Sequence, residues 1–293
     1  MAKDRAGWIG TIVGVVALGF AAQQYFFGTF AKTQIDDIKG CNGFLIKEKP
    51  VALSTKAIPE AIEQKYLQDK ILSCRDELQK NDKNAVAYTN IGEATRRLGD
   101  LPTALIAQQE AVKLDPNLQE AKLGLGLVQA DMGKTAEANQ TIQDTLAQKE
   151  SAIAYLYQGI AFGKQKDWRN AETSFRKATD LNPNNASTYY GLGIALDKQG
   201  NLEGAIAAYQ KAISINPNLV EAYNSLGIAL QKAISINPNN ANTYYNLGIA
   251  LDKQGNLEGA IAKFKRARDL YRTQGNTQQA EKITQLLEKA GIR

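Results

Sequence analysis

The sequence predicts an all-α chain in which pairs of antiparallel helices stack into a solenoid behind one apolar N-terminal helix. Three observations predict it. The chain copies itself: GIALDKQGNLEGAIA occurs at 193–207 and again, letter for letter, at 248–262, and QKAISINPN occurs at 210–218 and 231–239. Within a copy, Tyr189, Leu192, Gly193 and Leu196 recur at spacings of three and four, the signature of one helix face. Between helices stand breakers: Gly200 and Asn201 stop the first helix and cap the second, and Asn216-Pro217-Asn218 closes the unit. A helix pair of this kind has an apolar side that it cannot bury alone, so neighbouring copies must cover it.

Taken in order, residues 1–6 are a short basic start carrying Lys3 and Arg5. No charged residue occurs from Ala6 to Ala31, a run of 26. Since about 20 apolar residues suffice to cross a bilayer as a helix, 7–30 is expected to be a transmembrane anchor. Trp8 at one end and Tyr25, Phe26, Phe27 and Phe30 at the other suit the two interfacial belts. The alternative is a cleaved signal peptide with Ile9 to Phe20 as its apolar stretch and Gly19-Phe20-Ala21 as the cut site. Gly10 and Gly14 have the spacing that lets two membrane helices approach.

The orientation is balanced between two arguments. Lys32, Lys39, Lys47 and Lys49 after the span argue for a cytoplasmic body. The brief basic head argues for export, and the non-cytoplasmic side is taken as the expectation. Residues 31–58, with Pro50, read as a linker. Residues 59–80 read as a capping helix or degenerate repeat with Leu67, Ile71, Cys74 and Leu78 on one face.

Aligning the Leu-Gly and Asn-Pro-Asn landmarks gives units at 85–118, 119–151, 152–185, 186–219, 220–240 and 241–274. In the unit at 152 the landmark places are held by Tyr155, Gln158, Gly159, Phe162, Ala171, Phe175, Ala178 and Pro183. In the unit at 85 they are Tyr88, Ile91, Gly92, Thr95, Ala104, Gln108, Ala111 and Pro116. This pattern resembles the tetratricopeptide repeat family, whose 34-residue helix pair it follows. The unit at 119 keeps Lys122, Gly126 and Ala138 but lacks the aromatics and the closing proline, so its packing is expected to be looser. At 276–293 a C-terminal capping helix is expected, with Ile283, Leu286 and Leu287 inward and charges outward.

The unit at 220–240 is truncated. The thirteen residues 197–209 of the preceding copy have no counterpart in it, and they contain the Gly-Asn turn. Nothing then breaks the helix between Val220 and Ile236, while Tyr223, Leu226, Leu230, Ala233 and Ile234 keep an apolar stripe. A single fused helix is expected from about Leu219 to Ile236, with irregular stacking from Ala241 onward.

The resemblance implies a groove formed by the first helices that holds an extended peptide or a helix of a protein partner. By position in each unit, the groove residues are Asn90 with Thr89 and Glu93, Leu123, Leu127, Leu156, Ile160, Tyr190, Ile194, Asn224, Ile228, Tyr245, Asn246 and Ile249. Tyr190 and Tyr245 are the strongest candidates for contact with a partner, because tyrosine gives contact area at low entropic cost. The aliphatic members have an equal structural reading, as packing between neighbouring first helices. Such a groove suits a hydrophobic segment or helix.

Composition narrows the function. The chain has no histidine, removing the commonest general base and metal ligand, and no G-x-S-x-G, H-E-x-x-H or P-loop pattern occurs. No catalysis, metal or cofactor is therefore expected. A net charge of +5 with both signs interspersed leaves no basic run for nucleic acid. Cys41 and Cys74 are either two thiols with at least one packed on a helix, or a disulfide closing 33 residues and worth roughly 3–4 kcal/mol in an oxidising compartment. The expectation is a membrane-tethered scaffold that recruits or assembles protein partners. A self-associating structural protein and an assembly factor for a membrane complex such as a photosystem are the alternatives.

Overall fold

The structure, a computed structural model, describes Cys41 and residues 60–292. The basic start, the anchor or signal segment at 7–30 and the linker at 31–58, Cys41 apart, lie outside the described residues. Among those described, no helix is long and apolar enough to cross a membrane.

The described chain is all-α, with thirteen helices and no strand. They are α1 (Glu60–Lys80), α2 (Ala85–Arg97), α3 (Leu101–Leu114), α4 (Gln119–Asp131), α5 (Thr135–Gln148), α6 (Ala152–Lys164) and α7 (Trp168–Leu181). There follow α8 (Ala186–Lys198), α9 (Leu202–Ile215), α10 (Val220–Ile236), α11 (Ala241–Lys253), α12 (Leu257–Thr273) and α13 (Thr277–Lys289). Helix starts are written in the sequence. Asn84, Asp100, Ser151, Asp167, Asn185, Asn201, Asn240, Asn256 and Asn276 each accept a bond from the backbone N–H three residues on. Each such cap is worth about 1 kcal/mol. Leu118, Lys134 and Leu219 stand at the same place without a capping side chain, so α4, α5 and α10 start without this support.

The turns inside the pairs need a left-handed residue. Gly200 and Gly255 supply it at φ 80° and 78°, but the unit at 152 has Lys166 there at φ 61°. An L-residue in that region costs about 1–2 kcal/mol.

Packing inside a pair follows one rule: a side chain of the second helix sits on a glycine of the first. A Cβ at Gly159 would meet the Phe175 ring at 2.6 Å, one at Gly193 the Tyr209 ring at 2.5 Å, and one at Gly248 the Phe264 ring at 2.6 Å. Phe175 also covers Gly191 of the following unit, at 2.7 Å, so one ring joins two units. Fully buried alanines complete each seam, Ala171 and Ala178 in α7 and Ala205 and Ala212 in α9. The unit at 85 breaks the rule in kind. Its slot, between Gly92 and Gly124, holds the fully buried amide of Gln108. Gln108 Nε2 donates to the Thr89 carbonyl at 3.1 Å, while Oε1 has no partner among the described residues. The unit at 119 uses Ile142 against Gly126.

At the ends, α1 buries Leu67, Ile71 and Cys74, with Leu78 half-buried. Cys74 is joined to Cys41 by a disulfide with a Cα–Cα distance of 4.9 Å, and the pair is buried in one cluster with Ala87, Ile91 and Ala107. On α13, Ile283 and Leu287 are buried, but Leu286, read from the sequence as their companion, is 45% exposed. One residue of rotation separates it from the seam.

The truncated unit forms α10 as one helix of 17 residues, packed between α9 and α11. The apolar core divides there. One cluster runs from Leu123 to Leu247 and a second from Ala241 to Leu287, with half-buried Ile234 and Leu251 touching both. The same letters therefore meet different surroundings. In α8 Tyr190 is buried and Tyr189 half-buried, whereas in α11 the equivalent Tyr245 is half-buried and Tyr244 buried.

Two substitutions test these local arguments. Lys166→Gly should raise stability by about 1 kcal/mol by removing the left-handed strain, and unchanged thermal unfolding would contradict it. Gln108→Phe should also raise the melting temperature, because it replaces a buried, partnerless oxygen, at a cost of about 1–3 kcal/mol, by the ring used two units on. A fall would mean that the amide has a role its bonds do not show.

Candidate functional site

The first helices of the N-terminal half are tied together by buried charge. Arg96 grips Glu93 with two bonds, Nε at 2.9 Å and Nη2 at 2.8 Å, and Arg97 Nε reaches the same carboxylate at 2.7 Å. Arg96 Nη1 continues to Asp131 of α4 at 2.8 Å, and Asp131 pairs with Lys164 of α6. The Glu93 side chain is wholly buried. Burial would push its carboxyl up, but the opposed charges and hydrogen bonds of Arg96 and Arg97 outweigh this and bring it down to about 2. Near this cluster the phenol of fully buried Tyr157 is pushed up, chiefly by burial. The network threads α2, α4 and α6, three successive first helices, and closes that stretch of the face.

The sequence-derived groove residues divide accordingly. Asn90 is 1% exposed and donates from Nδ2 to the Cys41 carbonyl at 3.1 Å, so its amide holds the chain at the disulfide. Thr89, Glu93, Leu123, Leu127, Leu156 and Ile160 are buried too. Where α4 packs directly on α2 and α6, a first-helix aliphatic faces its neighbour rather than a hollow. Tyr190 is a plain correction: at 3% exposure its ring lies against Tyr209, with 5.9 Å between centroids, and it is not offered to a partner.

The other members lie on α8, α10 and α11 and reach the surface. Ile194, Asn224, Tyr245, Asn246 and Ile249 are half-buried, and Ile228 is 56% exposed. Asn224 and Ile228 line a cleft of about 340 Å³ together with Gly227 and Gln231 of α10, and its other wall is Leu247 and Leu251 of α11 with Gln254, the residue that ends that helix. Gln254 Nε2 donates to the Tyr223 carbonyl at 3.3 Å, bracing one end, and Lys232 bonds Asp197 at 2.8 and 2.9 Å to hold α10 against α8. The residues missed by sequence reasoning are Gly227, Gln231, Leu247, Leu251 and Gln254. The sign was available: the unit that lost its turn also lost the aromatic that should cover its glycine. Among the described residues no group of three or more His, Cys, Asp or Glu is placed to hold a metal.

Helix pairs of similar length, stacked with a second-helix side chain seated on a first-helix glycine, define an α-solenoid of helix-turn-helix repeats. The chain belongs to the tetratricopeptide repeat family: models of that repeat match residues 85–118, 159–200, 197–232 and 229–262. No curated protein matches the chain. Among solved structures, PilF of Pseudomonas aeruginosa superposes with a TM-score of 0.50 at 17% identity, over 71% of this chain and 92% of its own. MamA gives a TM-score of 0.40 at 28% identity, over 66% of this chain and 94% of its own. YrrB, described as a TPR protein with an unusual peptide-binding site, gives 0.38 at 20%, over 73% and 98%.

The ion cluster makes a pH prediction. Glu93 has a folded pKa of about 2 against an ordinary 4.5, so its contribution is complete above about pH 4.5 and is lost as pH falls towards 2. The loss should amount to about 3 kcal/mol. Glu93→Gln should lower stability at pH 7 by about 3–5 kcal/mol, because it removes the buried carboxylate charge that Arg96 and Arg97 share, and should flatten the acid limb. Equal acid limbs in urea titrations of the two proteins would contradict this assignment.

Proposed function

We propose that this protein is a non-catalytic scaffold, held at a membrane by residues 7–30, that offers the open face of α8, α10 and α11 to an apolar segment or helix of a protein partner. Repeats of this family build extended binding surfaces. The single observation that carries the reading is the contrast along one face: Leu123, Leu127, Leu156 and Ile160 are sealed, whereas Ile228 and the half-buried Tyr245 and Ile249 are accessible. Asparagine amides at 224 and 246 stand beside these apolar groups and supply bonds for a peptide backbone.

The tether rests on the uncharged run of 26 residues with aromatics at both ends. The Cys41–Cys74 bond supports an oxidising compartment for the repeats, hence the non-cytoplasmic side of that membrane.

The test uses the full-length chain in two arms. Peptides selected against it from a display library should bind at least about tenfold more weakly to Ile249→Glu and to Tyr245→Ala, with unfolding temperatures within a few degrees of the parent. Undiminished binding by both variants would remove this face as the site. Separately, the chain should stay with membranes through an alkaline carbonate wash, and deletion of 7–30 should release it. Release of the intact chain would overturn the tether alone.

A further inference from the structure

The cleft between α10 and α11 marks the place of a specific missing side chain. In the pairs on both sides of the truncated unit, and in the pair at 152, the first-helix glycine is covered by a ring: Phe175 on Gly159, Tyr209 on Gly193, Phe264 on Gly248, all at 2.5–2.6 Å from a notional Cβ, whereas the two pairs nearer the N-terminus use Gln108 and Ile142. Gly227 is the same letter of the same LGIAL motif, yet the second helix that would carry its ring is absent from the sequence. The nearest atoms to its notional Cβ are the flexible Gln254 amide at 3.2 Å, then Leu247 and Ala250 at 3.9 and 4.0 Å. Leu230, aligned with Tyr209 through QKAISINPN, sits on α10 itself and is not among these neighbours. The α11 helix covers the rest of this side of α10 but does not fill the slot. The volume of about 340 Å³ is at the lower end of the roughly 300–1,000 Å³ of small-ligand sites, room for one or two side chains and not for a further helix.

We infer that this slot is a receptor for one aromatic side chain, tyrosine or phenylalanine, presented by a partner segment with small residues on either side. The chain itself writes the chemistry of the occupant. Tyr209 is preceded at four residues by Ala205 and followed at three by Ala212, both fully buried, so the ring reaches its glycine while the backbone lies close. The Tyr209 hydroxyl also has a polar neighbour in the Ser225 side chain. Around Gly227 the amides of Asn224, Gln231 and Gln254 offer the corresponding partners, and Ile228, 56% exposed, extends the apolar floor beyond the slot. A tyrosine is thus met by a floor without a Cβ, aliphatic walls and a polar rim. The inference rests on the proposed scaffold role and names the anchor residue that the open face takes.

The probe is a fluorescein-labelled peptide with the sequence of residues 202–215, LEGAIAAYQKAISI, titrated into the full-length chain in detergent. Saturable binding is expected, weakened at least about tenfold by alanine in place of the peptide's tyrosine. Gly227→Phe in the protein should abolish binding by filling the slot from within and should raise the unfolding temperature. Gly193→Ala, which collides with Tyr209, should lower it. Equal binding of the two peptides, binding untouched by Gly227→Phe, or a Gly227→Phe protein less stable than its parent would each overturn the assignment. If light scattering instead shows a dimer that Gly227→Phe dissolves, the slot belongs to a second copy. If the peptide binds only after 1–40 are removed, the slot belongs to the chain's own N-terminal segment. Loss of display-selected binding at Ile249 and Tyr245 with no effect at Gly227 would leave the scaffold reading standing and remove only this slot.

Discussion

A ring seated on a glycine sets how closely two helices of a pair can lie, and most of the architecture follows from that contact. The glycine removes the only side chain in the way, and the ring supplies buried apolar area that alanines on either side cannot. Because Phe175 touches Gly159 in its own unit and Gly191 in the next, one residue closes a pair and joins it to its neighbour. Stability in such a stack is close to a sum of pair and neighbour terms, so each slot has a local consequence and the array tolerates one defective member. The polar Gln108 in the first slot and the vacancy at Gly227 are two such members, and the helices around both remain well formed.

The two ends of the array are consolidated differently. Around α2, α4 and α6 the Glu93–Arg96–Asp131–Lys164 chain of charges crosses from helix to helix, and the disulfide fixes Cys41 against α1. Buried ion pairs contribute little net stability over apolar packing, but a broken one is severely destabilising, so they specify one arrangement strongly. Around α10 and α11 the polar ties are separate pairs, Lys232 with Asp197 and Gln254 with the Tyr223 carbonyl, and the core splits into two clusters. The braced end positions the open end, where the surface that can meet a partner lies.

How much of this could be read from the letters differs by kind of feature. Helix pairs were legible because their punctuation is chemical: Asn201 caps α9, Gly200 takes a positive φ, and Pro217 ends the unit. The continuous α10 was legible for the converse reason, since nothing between Val220 and Ile236 interrupts a helix. The accessible face was not. Ile160 and Ile194 hold the same place in consecutive first helices, yet one is sealed and the other half-open, because exposure depends on how near the neighbouring helix lies. That distance is set by contacts such as Arg96 to Asp131, which join residues 35 apart and leave no local pattern.

The truncated unit shows why a loss can create a surface that no addition encodes. Removing residues equivalent to 197–209 keeps the first-helix motif intact and deletes its cover, so α11 arrives where a second helix should have been. Its sequence was shaped for the first-helix place. Of its two adjacent tyrosines, Tyr245 keeps the ring contact that Tyr190 makes, on Phe264 at 5.7 Å between centroids, yet it is left half-buried where Tyr190 is buried, while Tyr244 is buried where Tyr189 is half-buried. Leu247 and Ala250 approach Gly227 only to van der Waals distance and bring no ring. The helix pairs are thus mismatched in shape while each helix stays intact, and the mismatch is concentrated in one cleft beside an exposed isoleucine. A surface made this way is specific, because its walls remain those of a repeat and fit what a repeat's second helix would have supplied.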